Sequence, residues 1–549
     1  MENNQTNTYM EETNSELVHT YNRFPVVLDH GEGVYLYDTE GKKYLDFAAG
    51  IAVCGLGYSN EEYKTALKNQ IDLLTHTSNL YYNTTCGKAA KALLKACEMD
   101  KVFFTNSGTE AIEGALKAAR KYAYKKGTGR YEFIAMEDSF HGRSMGALSV
   151  TGTEHYRTPF EPLIPGVKFA KYNDLDSVKA LVSDKTCAII LEALQGEGGI
   201  TPATDEFMKG LRQICDEEGI LLICDEIQCG MGRTGSMFAW QGYGVKPDIM
   251  TMAKAIGNGV PVGAFAMTKE VAEYSLEPGD HGTTYGGNPL ACAAVAKTLE
   301  LFEKYDLTAH VREIGAYLTE KLDELVAAND AVLERRGIGL IQGIKVKKPV
   351  GEISSEALKE GLLIISANTS GNKTFATEIL FERTNFLHLT GVKFQKGKHL
   401  SPNTFYNLCR TRRLKKEDFE LAPDGTTERK LSILPAIVGS ENLGANMIGD
   451  YYDRKPVLVT EKLAGNIRGC VGVVYDARRK IYAPNTVLNL DMRSSVRNRQ
   501  RILLIYQKHK KETEYTKLVY RAKKIDWNSI RFPKGYEDLP SPATNIQQI

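Results

Sequence analysis

The feature that most constrains the fold is an alternation, between residues 100 and 270, of short apolar runs with segments of helical periodicity. Most runs are apolar at consecutive positions, which is typical of strands in a sheet covered by helices on both faces. The runs are VFFTN, EFIAM, VKFAKY, CAIILEAL, LLICDE, DIMTMAKA and GAFAMTKE. Residues 109–126 and 205–219 have the pattern of intervening helices. The sequence therefore predicts an α/β fold with a mostly parallel sheet.

Polar residues follow several of these runs, at the sheet edge where ligands of such folds bind. Residues 105–110 (TNSGTE) open a long helix, whose free backbone N–H groups suit a phosphate. Asp225 ends the run LLIC, where a carboxylate could hold a pyridine nitrogen protonated. Lys254 follows IMTMA, where desolvation would lower the pKa of its amine and permit imine formation. Taken singly, each has a commoner interpretation: a helix cap, a turn aspartate and a solvated lysine.

The net charge of +1 hides two halves of opposite sign. Residues 371–549 contain 32 Lys and Arg against 18 Asp and Glu. Subtracting these from the chain totals of 69 and 68 leaves 37 basic and 50 acidic residues in 1–370. The polar stretch NTSGNK (residues 368–373) is rich in turn residues at the point where the charge changes. Two modules with different partners are the expectation.

The remaining composition argues against several classes of protein. The ten cysteines show no Cys-x-x-Cys spacing, so neither a zinc site nor a disulfide framework is expected. No apolar run approaches the roughly 18 residues needed to span a bilayer. The polar amino terminus does not resemble a signal peptide, and a cytoplasmic location is expected.

Six motifs in chain order carry a family resemblance: TNSGTEA, SFHGRSMGA, LEALQGEGG, CDEIQCGMGRTG, AKAIGNGVPVGA and HGTTYGGNPLACAA. Together they resemble the class III aminotransferases of fold type I, most closely the acetylornithine/ornithine branch, over residues 15–367. The resemblance implies a seven-stranded, mostly parallel sheet, pyridoxal 5′-phosphate as the cofactor and a homodimer. It also implies a large cofactor domain at 76–299 and a small domain from 1–75 and 300–367.

The resemblance implies that Gly108 and Thr109 contact the cofactor phosphate, and that Thr284 reaches the phosphate bound by the neighbouring subunit. It implies that Phe140 stacks on the cofactor ring, with Asp225 at the ring nitrogen and Gln228 near the ring hydroxyl. Lys254 would be the Schiff-base lysine and the catalytic acid–base. Arg143 would bind a substrate carboxylate, with Thr283 near the substrate. The implied reaction transfers the amino group of N-acetylornithine to 2-oxoglutarate, in arginine biosynthesis. Ornithine or another ω-amine remains open as the donor.

The match stops after residues 361–367 (GLLIISA), so the family's second carboxylate-binding arginine has no counterpart. Arg383 lies nearby in sequence but in no matching motif. In the family, the missing arginine pairs with the glutamate that corresponds to Glu197. Glu197 would therefore be left unpaired, which costs roughly 1–3 kcal/mol at a partly buried site. Cofactor binding is therefore expected to survive this truncation more readily than turnover with a dicarboxylate.

Residues 379–549, after a linker at 368–378, are predicted to form a basic α+β domain. Ser401 and Pro402 resemble a helix start, and β-rich runs follow: KLSILPAIV, PVLVTEKLA, GCVGVVYD, KIYAPNTVLN, RILLIYQKH and TKLVYRAKK. VVYDARRKIYA is predicted to be a hairpin. NFLHLTGVKF, GCVGVVYD and NLDMR resemble a phage-associated barnase–EndoU–colicin–RelE nuclease-like family of the PBECR type. That resemblance implies contact with RNA or its metal-free cleavage, with His388 as the candidate acid–base. A half-buried structural histidine, and a non-catalytic binding module, remain the alternatives.

Overall fold

The computed structural model describes residues 2–367 and, beyond them, the strands given below and single residues between 401 and 431. The chain divides into two compact units, residues 1–370 and 371–549. The predicted linker falls on residues outside those described, and the division of the first unit into large and small domains stays a prediction. No helix among the described residues is both long and apolar enough to cross a bilayer.

The strands of the first unit are β1 (Leu28–Glu32), β2 (Tyr35–Asp38), β3 (Lys43–Asp46), β4 (Lys101–Thr105), β5 (Glu132–Met136), β6 (Val167–Ala170), β7 (Thr186–Leu191), β8 (Leu194–Gln195), β9 (Thr201–Pro202), β10 (Leu221–Asp225), β11 (Ile249–Met252), β12 (Gly263–Met267), β13 (Val332–Ile338), β14 (Ile341–Val346) and β15 (Leu362–Leu363). Its α-helices are α1 (Glu2–Glu16), α2 (Ala49–Ala52), α3 (Glu61–Leu73), α4 (Cys86–Cys97), α5 (Gly108–Lys125), α6 (Met145–Val150), α7 (Glu154–Arg157), α8 (Leu175–Lys179), α9 (Asp205–Glu218), α10 (Ala239–Tyr243), α11 (Lys269–Glu273), α12 (Pro289–Lys304), α13 (Leu307–Ala328) and α14 (Val350–Lys359), with 3₁₀ turns at Thr158–Phe160 and Lys254–Ile256.

Seven strands form the central sheet in the order β4-β12-β11-β10-β7-β5-β6. Of its pairings, those of β12 with β11 and with β4 are antiparallel and the other four are parallel. The predicted α/β fold with a mostly parallel seven-stranded sheet is confirmed, and all seven predicted runs are its strands. Separately, β15 pairs parallel with β3 at the edge of a sheet ordered β1-β2-β3-β15.

The core lies on both faces of the central sheet. Along β5, Phe133 contributes to one buried cluster and Ile134 to the other, and Ile189 and Ile190 of β7 divide in the same way. This alternation explains why the strands are apolar at consecutive positions. Each fully buried side chain of this size contributes roughly 1.5–3 kcal/mol.

Helix α5 packs unusually close to the sheet. A Cβ atom added at Gly114 would lie 2.2 Å from the ring of Phe265, which is on β12. A side chain at position 114 would therefore push the helix away from the strand. This close contact between α5 and β12 fixes the position of the amino-terminal end of α5 relative to the edge of the sheet.

In the second unit the described strands are β16 (Lys393–Phe394), β17 (Phe419–Glu420), β18 (Met447–Tyr451), β19 (Lys462–Gly465), β20 (Cys470–Asp476), β21 (Ile481–Leu488), β22 (Val496–Arg501), β23 (Leu504–Gln507) and β24 (Lys517–Arg521). Five of them form an antiparallel sheet in the order β21-β20-β19-β18-β22.

The predicted hairpin is confirmed, because β20 and β21 pair antiparallel from Asp476 and Ile481 outward. The run that begins at Lys430 was predicted as β-rich, and this is wrong at its start, where Lys430 and Leu431 are helical. At the predicted helix start, the Ser401 hydroxyl accepts a hydrogen bond from the backbone N–H of Thr404 at 3.1 Å, as a helix-capping serine does.

Candidate active site

Three loops meet at one edge of the central sheet. Strands β10 and β11 are parallel neighbours, with Asp225 opposite Thr251, so the residues that follow both strands lie on the same side. Strand β4 ends at Thr105 beside Gly263 of β12, and α5 begins three residues later. The polar residues singled out in the sequence are therefore brought to a common edge.

Asp225 is almost fully buried and fully engaged in hydrogen bonds. Its Oδ2 lies 2.7 Å from Nδ1 of His141. Its Oδ1 accepts from the hydroxyl of Thr251 and from the backbone N–H of Ile227, both at 3.0 Å. A buried carboxylate with three hydrogen-bond partners has a fixed orientation.

His141 is buried against Asp225 with no exposed side-chain surface. Burial opposes the charged imidazolium, but the hydrogen bond and charge of Asp225, with the charge of Glu192, raise the pKa of His141 above its ordinary value. Glu192 is itself buried, which raises its pKa to about 7. Nε2 of His141 is buried and has no hydrogen-bond partner among the described residues.

Lys254 begins the 3₁₀ turn that follows β11 and has a positive φ of 51°. A lysine in this backbone region is strained, and such strain is most often retained at functional sites. Burial lowers the pKa of its amine; Asp225, Glu192 and Glu197 partly oppose this, and Arg233 adds to it. A lowered pKa leaves more of the amine neutral and able to act as a nucleophile or base.

The amino-terminal end of α5 is closed by a tight contact with the loop that follows β5. The hydroxyl of Thr109 accepts a hydrogen bond from the backbone N–H of Arg143 at 3.0 Å. A Cβ atom at Gly142, which has a φ of 140°, would fall 2.0 Å from that hydroxyl. Position 142 therefore requires glycine, and the loop holds Thr109 in place at the helix end.

Phe140 and Arg143 lie on that same loop. The backbone N–H of Phe140 donates to Glu192 at 3.1 Å. The guanidinium carbon of Arg143 lies 4.0 Å from the ring centroid of Tyr156 and 5.3 Å from that of Phe140. Arg143 is exposed, so its charged end is held beside Phe140 while it remains accessible from solvent.

Gln228 packs against the QGEGG loop. A Cβ atom at Gly196 would fall 1.3 Å from Oε1 of Gln228, so the amide of Gln228 occupies the space that a side chain there would need. Glu197, the next residue, is half-buried. Within the described part of the chain, the Glu197 carboxylate has no hydrogen bond or ion pair.

Thr283 is joined to the start of α5 by Asn106, whose amide donates to the Thr283 hydroxyl at 2.9 Å. The carboxylate of Glu110 accepts from both the backbone and the side-chain nitrogen of Asn106, at 2.8 and 2.9 Å. Thr284 is exposed and does not belong to the buried cluster around Asp225.

The structure thus gathers the predicted residues Gly108, Thr109, Phe140, Arg143, Glu197, Asp225, Gln228, Lys254 and Thr283 at one sheet edge, whereas Thr284 faces solvent. Sequence reasoning missed His141, Glu192 and Arg233, although each lies in a quoted motif. A histidine two residues before an arginine carries no local signal that it will reach Asp225. The nuclease candidate His388 and Arg383 lie outside the described residues.

These groups fit pyridoxal phosphate. The glycine-containing start of an 18-residue helix offers free N–H groups to a phosphate. Asp225 offers a buried, oriented carboxylate to a protonated ring nitrogen, and Lys254 offers an amine with a lowered pKa at the same edge. The half-buried Phe140, whose backbone N–H donates to Glu192, offers an aromatic face.

Comparison with known proteins gives two family matches. Residues 17–380 match the family described as "Aminotransferase class-III", and residues 356–524 match "phage-Barnase-EndoU-ColicinE5/D-RelE like nuclease4". Acetylornithine aminotransferase of Clostridium acetobutylicum is 49% identical over 355 residues, which are 64% of this chain and 92% of that protein. That of Aquifex aeolicus is 47% identical over 349 residues, 63% and 91% of the two chains.

Solved structures agree with these matches. An ornithine aminotransferase from Toxoplasma gondii superposes with a TM-score of 0.64 at 30% identity, over 66% of this chain and 87% of that one. An acetylornithine aminotransferase from Elizabethkingia anophelis gives a TM-score of 0.58 at 30% identity, over 67% and 92%. Both predicted resemblances, the fold type I architecture and pyridoxal phosphate as the cofactor are thereby confirmed.

Proposed function

Because the chain belongs to the class III aminotransferases, we propose that it transfers the amino group of N-acetylornithine to 2-oxoglutarate, as a step of arginine biosynthesis. Ornithine or another ω-amine is the alternative donor. The observation that carries the proposal is the juxtaposition of Lys254, an amine with a lowered pKa, with the fully hydrogen-bonded Asp225. The acetylornithine aminotransferases among the relatives support the choice of donor.

Pyridoxal phosphate, when bound, withdraws electrons from the carbon that carries the amino group. Asp225 keeps the ring nitrogen protonated, and His141 holds the carboxylate in the required orientation from the other side. The hydroxyl of Thr251 fixes the second oxygen of the same carboxylate. The predicted ring contacts of Phe140 and Gln228 complete the cradle, with Gly108 and Thr109 at the phosphate.

Lys254 holds the cofactor and moves the proton between the two carbon atoms of the transfer. A general base works best when its pKa lies near the working pH. Burial moves the pKa of Lys254 in that direction, and Arg233 contributes in the same sense. The strained backbone at φ 51° fixes the side chain at the strand end.

Arg143, Thr283 and Glu197 are assigned to the substrate. The guanidinium of Arg143, held beside the rings of Tyr156 and Phe140, suits a bidentate contact with a carboxylate. Thr283 is fixed by Asn106 at the helix start. Glu197 has no partner among the described residues, and its carboxylate is close enough to affect the pKa of Lys254.

We propose a two-fold dimer as the working unit. Leu80, Tyr81 and Tyr82 are consecutive and largely exposed, at 88, 70 and 106%. This segment contacts the Thr284 loop, because the amide of Asn79 donates to the backbone oxygen of Gly286 at 2.8 Å. A surface of exposed aromatic and aliphatic side chains next to Thr284 supports burial against a second copy.

An absorption spectrum of the purified full chain tests the proposal. With pyridoxal phosphate added, we expect a visible band of lysine-bound cofactor that N-acetylornithine bleaches and 2-oxoglutarate restores. Lys254→Ala should lose both the band and turnover. A band that no ω-amine bleaches would contradict the proposed donors, and restoration by 2-oxoglutarate would show that the absent arginine segment is dispensable.

For residues 379–549 we propose an RNA-directed, nuclease-like role. The family match over 356–524 and the excess of 32 basic over 18 acidic residues in 371–549 favour it. A basic surface attracts the phosphate backbone of RNA. The alternative for the whole chain is a nucleic-acid-directed effector in which the aminotransferase half is a scaffold.

Labelled RNA incubated with the full chain separates these possibilities. Cleavage that His388→Ala abolishes, with binding retained, supports the nuclease role. Binding without cleavage by the native chain would identify a binding module. A biological activity that persists in Lys254→Ala would favour the scaffold alternative.

A further inference from the structure

The loop after β10 carries a buried guanidinium without a counterion. Nε and Nη2 of Arg233 are both buried, and neither has a hydrogen-bond partner among the described residues. We propose that Arg233 binds a carboxylate of the substrate and is the second carboxylate-binding cation of the active site. This inference rests on the proposed transamination, because it supplies the dicarboxylic substrate.

The absence of a partner is physically costly. Burial lowers the pKa of Arg233 to about 10, and the charge of Asp46 compensates for this only in part. The carboxylate of Asp46 is already occupied, since it accepts hydrogen bonds from the hydroxyl of Tyr58 and from the backbone N–H groups of Ala48 and Ala49. Buried charges in proteins are normally paired. A buried guanidinium left unpaired by the chain is therefore suited to pair with a ligand.

The two unpartnered nitrogen atoms also have the right geometry for one class of ligand. Nε and Nη2 form one edge of the planar guanidinium, and their N–H groups are roughly parallel. A carboxylate accepts two such bonds with its two oxygens, in the bidentate arrangement for which arginine is preferred over lysine. A single water or hydroxyl would satisfy only part of this edge.

Hydrogen bonds fix the backbone around Arg233, whereas Nε and Nη2 of its side chain have no partner among the described residues. The carbonyl oxygen of Arg233 accepts from the backbone N–H of Leu340 at 2.9 Å, and that of Gly235 accepts from Arg312 at 2.6 Å. Gly232 and Gly235 have φ values of 79° and 94°, which the tight turn requires. The loop is thus preorganised, which reduces the entropy cost of binding a ligand.

Topology places this guanidinium at the reacting end of the site. The loop leaves β10 after Asp225, and Lys254 follows the neighbouring parallel strand β11, so both emerge at one sheet edge. Arg233 is near enough to Lys254 for its charge to lower the pKa of the lysine amine. Arg143 approaches the same edge from the loop after β5. Two arginines therefore serve the two carboxylates of a five-carbon dicarboxylic acid.

Binding of glutarate to the full chain loaded with pyridoxal phosphate tests the proposal. Glutarate has two carboxylates but no amino or keto group, so its affinity, measured by calorimetry, does not depend on turnover. We expect Arg233→Gln to weaken glutarate binding at least roughly tenfold, as loss of a buried bidentate contact does. Arg233→Lys keeps the charge but lacks the guanidinium edge, and should weaken binding as well.

Arg157→Gln is the matched control. Arg157 has a buried Nε that also lacks a partner among the described residues, and its guanidinium lies 3.9 Å from the ring centroid of Phe169, on β6. Strand β6 is four positions from β11 in the sheet, so this substitution should leave glutarate affinity unchanged. Unchanged affinity in both Arg233 variants, or loss of cofactor in place of glutarate, would overturn the proposal.

A second measurement separates ligand binding from a structural role. Without glutarate, Arg233→Gln should melt at a temperature equal to or above that of the native chain, because it removes an uncompensated buried charge. A large decrease would mean that the guanidinium stabilises the fold and would overturn the proposal. Failure of the native chain to transaminate, with glutarate binding still lost in Arg233→Gln, would count against the proposed function alone.

Discussion

Asp225 and Arg233 lie eight residues apart on one segment, and their charged groups have opposite surroundings. Both oxygens of Asp225 are hydrogen-bonded, to His141, Thr251 and Ile227. Two nitrogens of Arg233 are buried without partners in the described chain. The proposed roles fit this difference: a group that holds a resident cofactor gains from fixed partners, whereas a group that binds and releases a substrate needs free hydrogen-bonding capacity. The difference indicates which end of the site stabilises the fold and which end is available to ligands.

If this comparison holds, substitutions at the Asp225 end should cost stability. Asp225→Ala removes one partner of a buried charged pair, and we expect it to lower the free energy of unfolding by about 3–5 kcal/mol. Asp225→Asn keeps an oxygen for Thr251 and should cost less. Denaturant unfolding of the full chain should be measured with and without cofactor, because a ligand that binds only the native state adds its own stabilisation. A loss below about 1 kcal/mol in Asp225→Ala would break the comparison.

The pH dependence of stability tests the buried environment next to this pair. The pKa of Glu192 is raised by burial to about 7 from an ordinary 4.5, so the folded state binds a proton that the unfolded state has released. Its contribution to stability is complete below about pH 4.5 and is lost as the pH rises towards 7. Glu192→Gln does not titrate, so its stability relative to the native chain should improve by about 1–3 kcal/mol between pH 5 and 8.

Glu61→Gln is the control for this trend. Glu61 is exposed, and the hydrogen bond from Lys64 lowers its pKa, which is the opposite direction to Glu192. The Glu61 variant should therefore show no gain in relative stability as the pH rises. If the difference in unfolding free energy between Glu192→Gln and the native chain does not change from pH 5 to 8, the carboxyl of Glu192 is ionised throughout this range.

A smaller effect is expected from the neighbouring hydroxyl. Thr251→Val is nearly isosteric and removes the 3.0 Å hydrogen bond to Asp225, which should cost about 1 kcal/mol in unfolding free energy. Thr298 offers a contrast, because its buried hydroxyl has no partner in the described chain. Thr298→Val should be neutral or slightly stabilising. Equal costs in the two variants would mean that pairing with Asp225 contributes nothing.

The same contrast explains what could be predicted from the sequence. The seven strands, the helix start at Gly108 and the positions of Asp225 and Lys254 follow from local apolar runs and from motifs in order. His141 pairs with Asp225 across 84 positions. Nε and Nη2 of Arg233 are buried without a partner among the described residues, while Asp46, far away in sequence, bonds to Tyr58. Pairing and its absence depend on tertiary contacts that no single motif records. The prediction of a β-rich run from Lys430 was wrong at its start for a related reason, because apolar periodicity in a short run does not distinguish a helix from a strand.

The smallest effect on stability is expected at Glu197, at the substrate end. This half-buried carboxylate has no hydrogen bond or ion pair to any described residue, so Glu197→Gln should change the free energy of unfolding by no more than about 0.5 kcal/mol. The charge of Glu197 nevertheless raises the pKa of Lys254, and its removal should therefore lower that pKa. The pH dependence of the rate at which the cofactor-free chain binds added pyridoxal phosphate reports the pKa of the free amine, and denaturant unfolding reports the stability. A variant that loses stability as Asp225→Ala does would show that Glu197 is paired within the fold, and the distinction between the two ends of the site would fail.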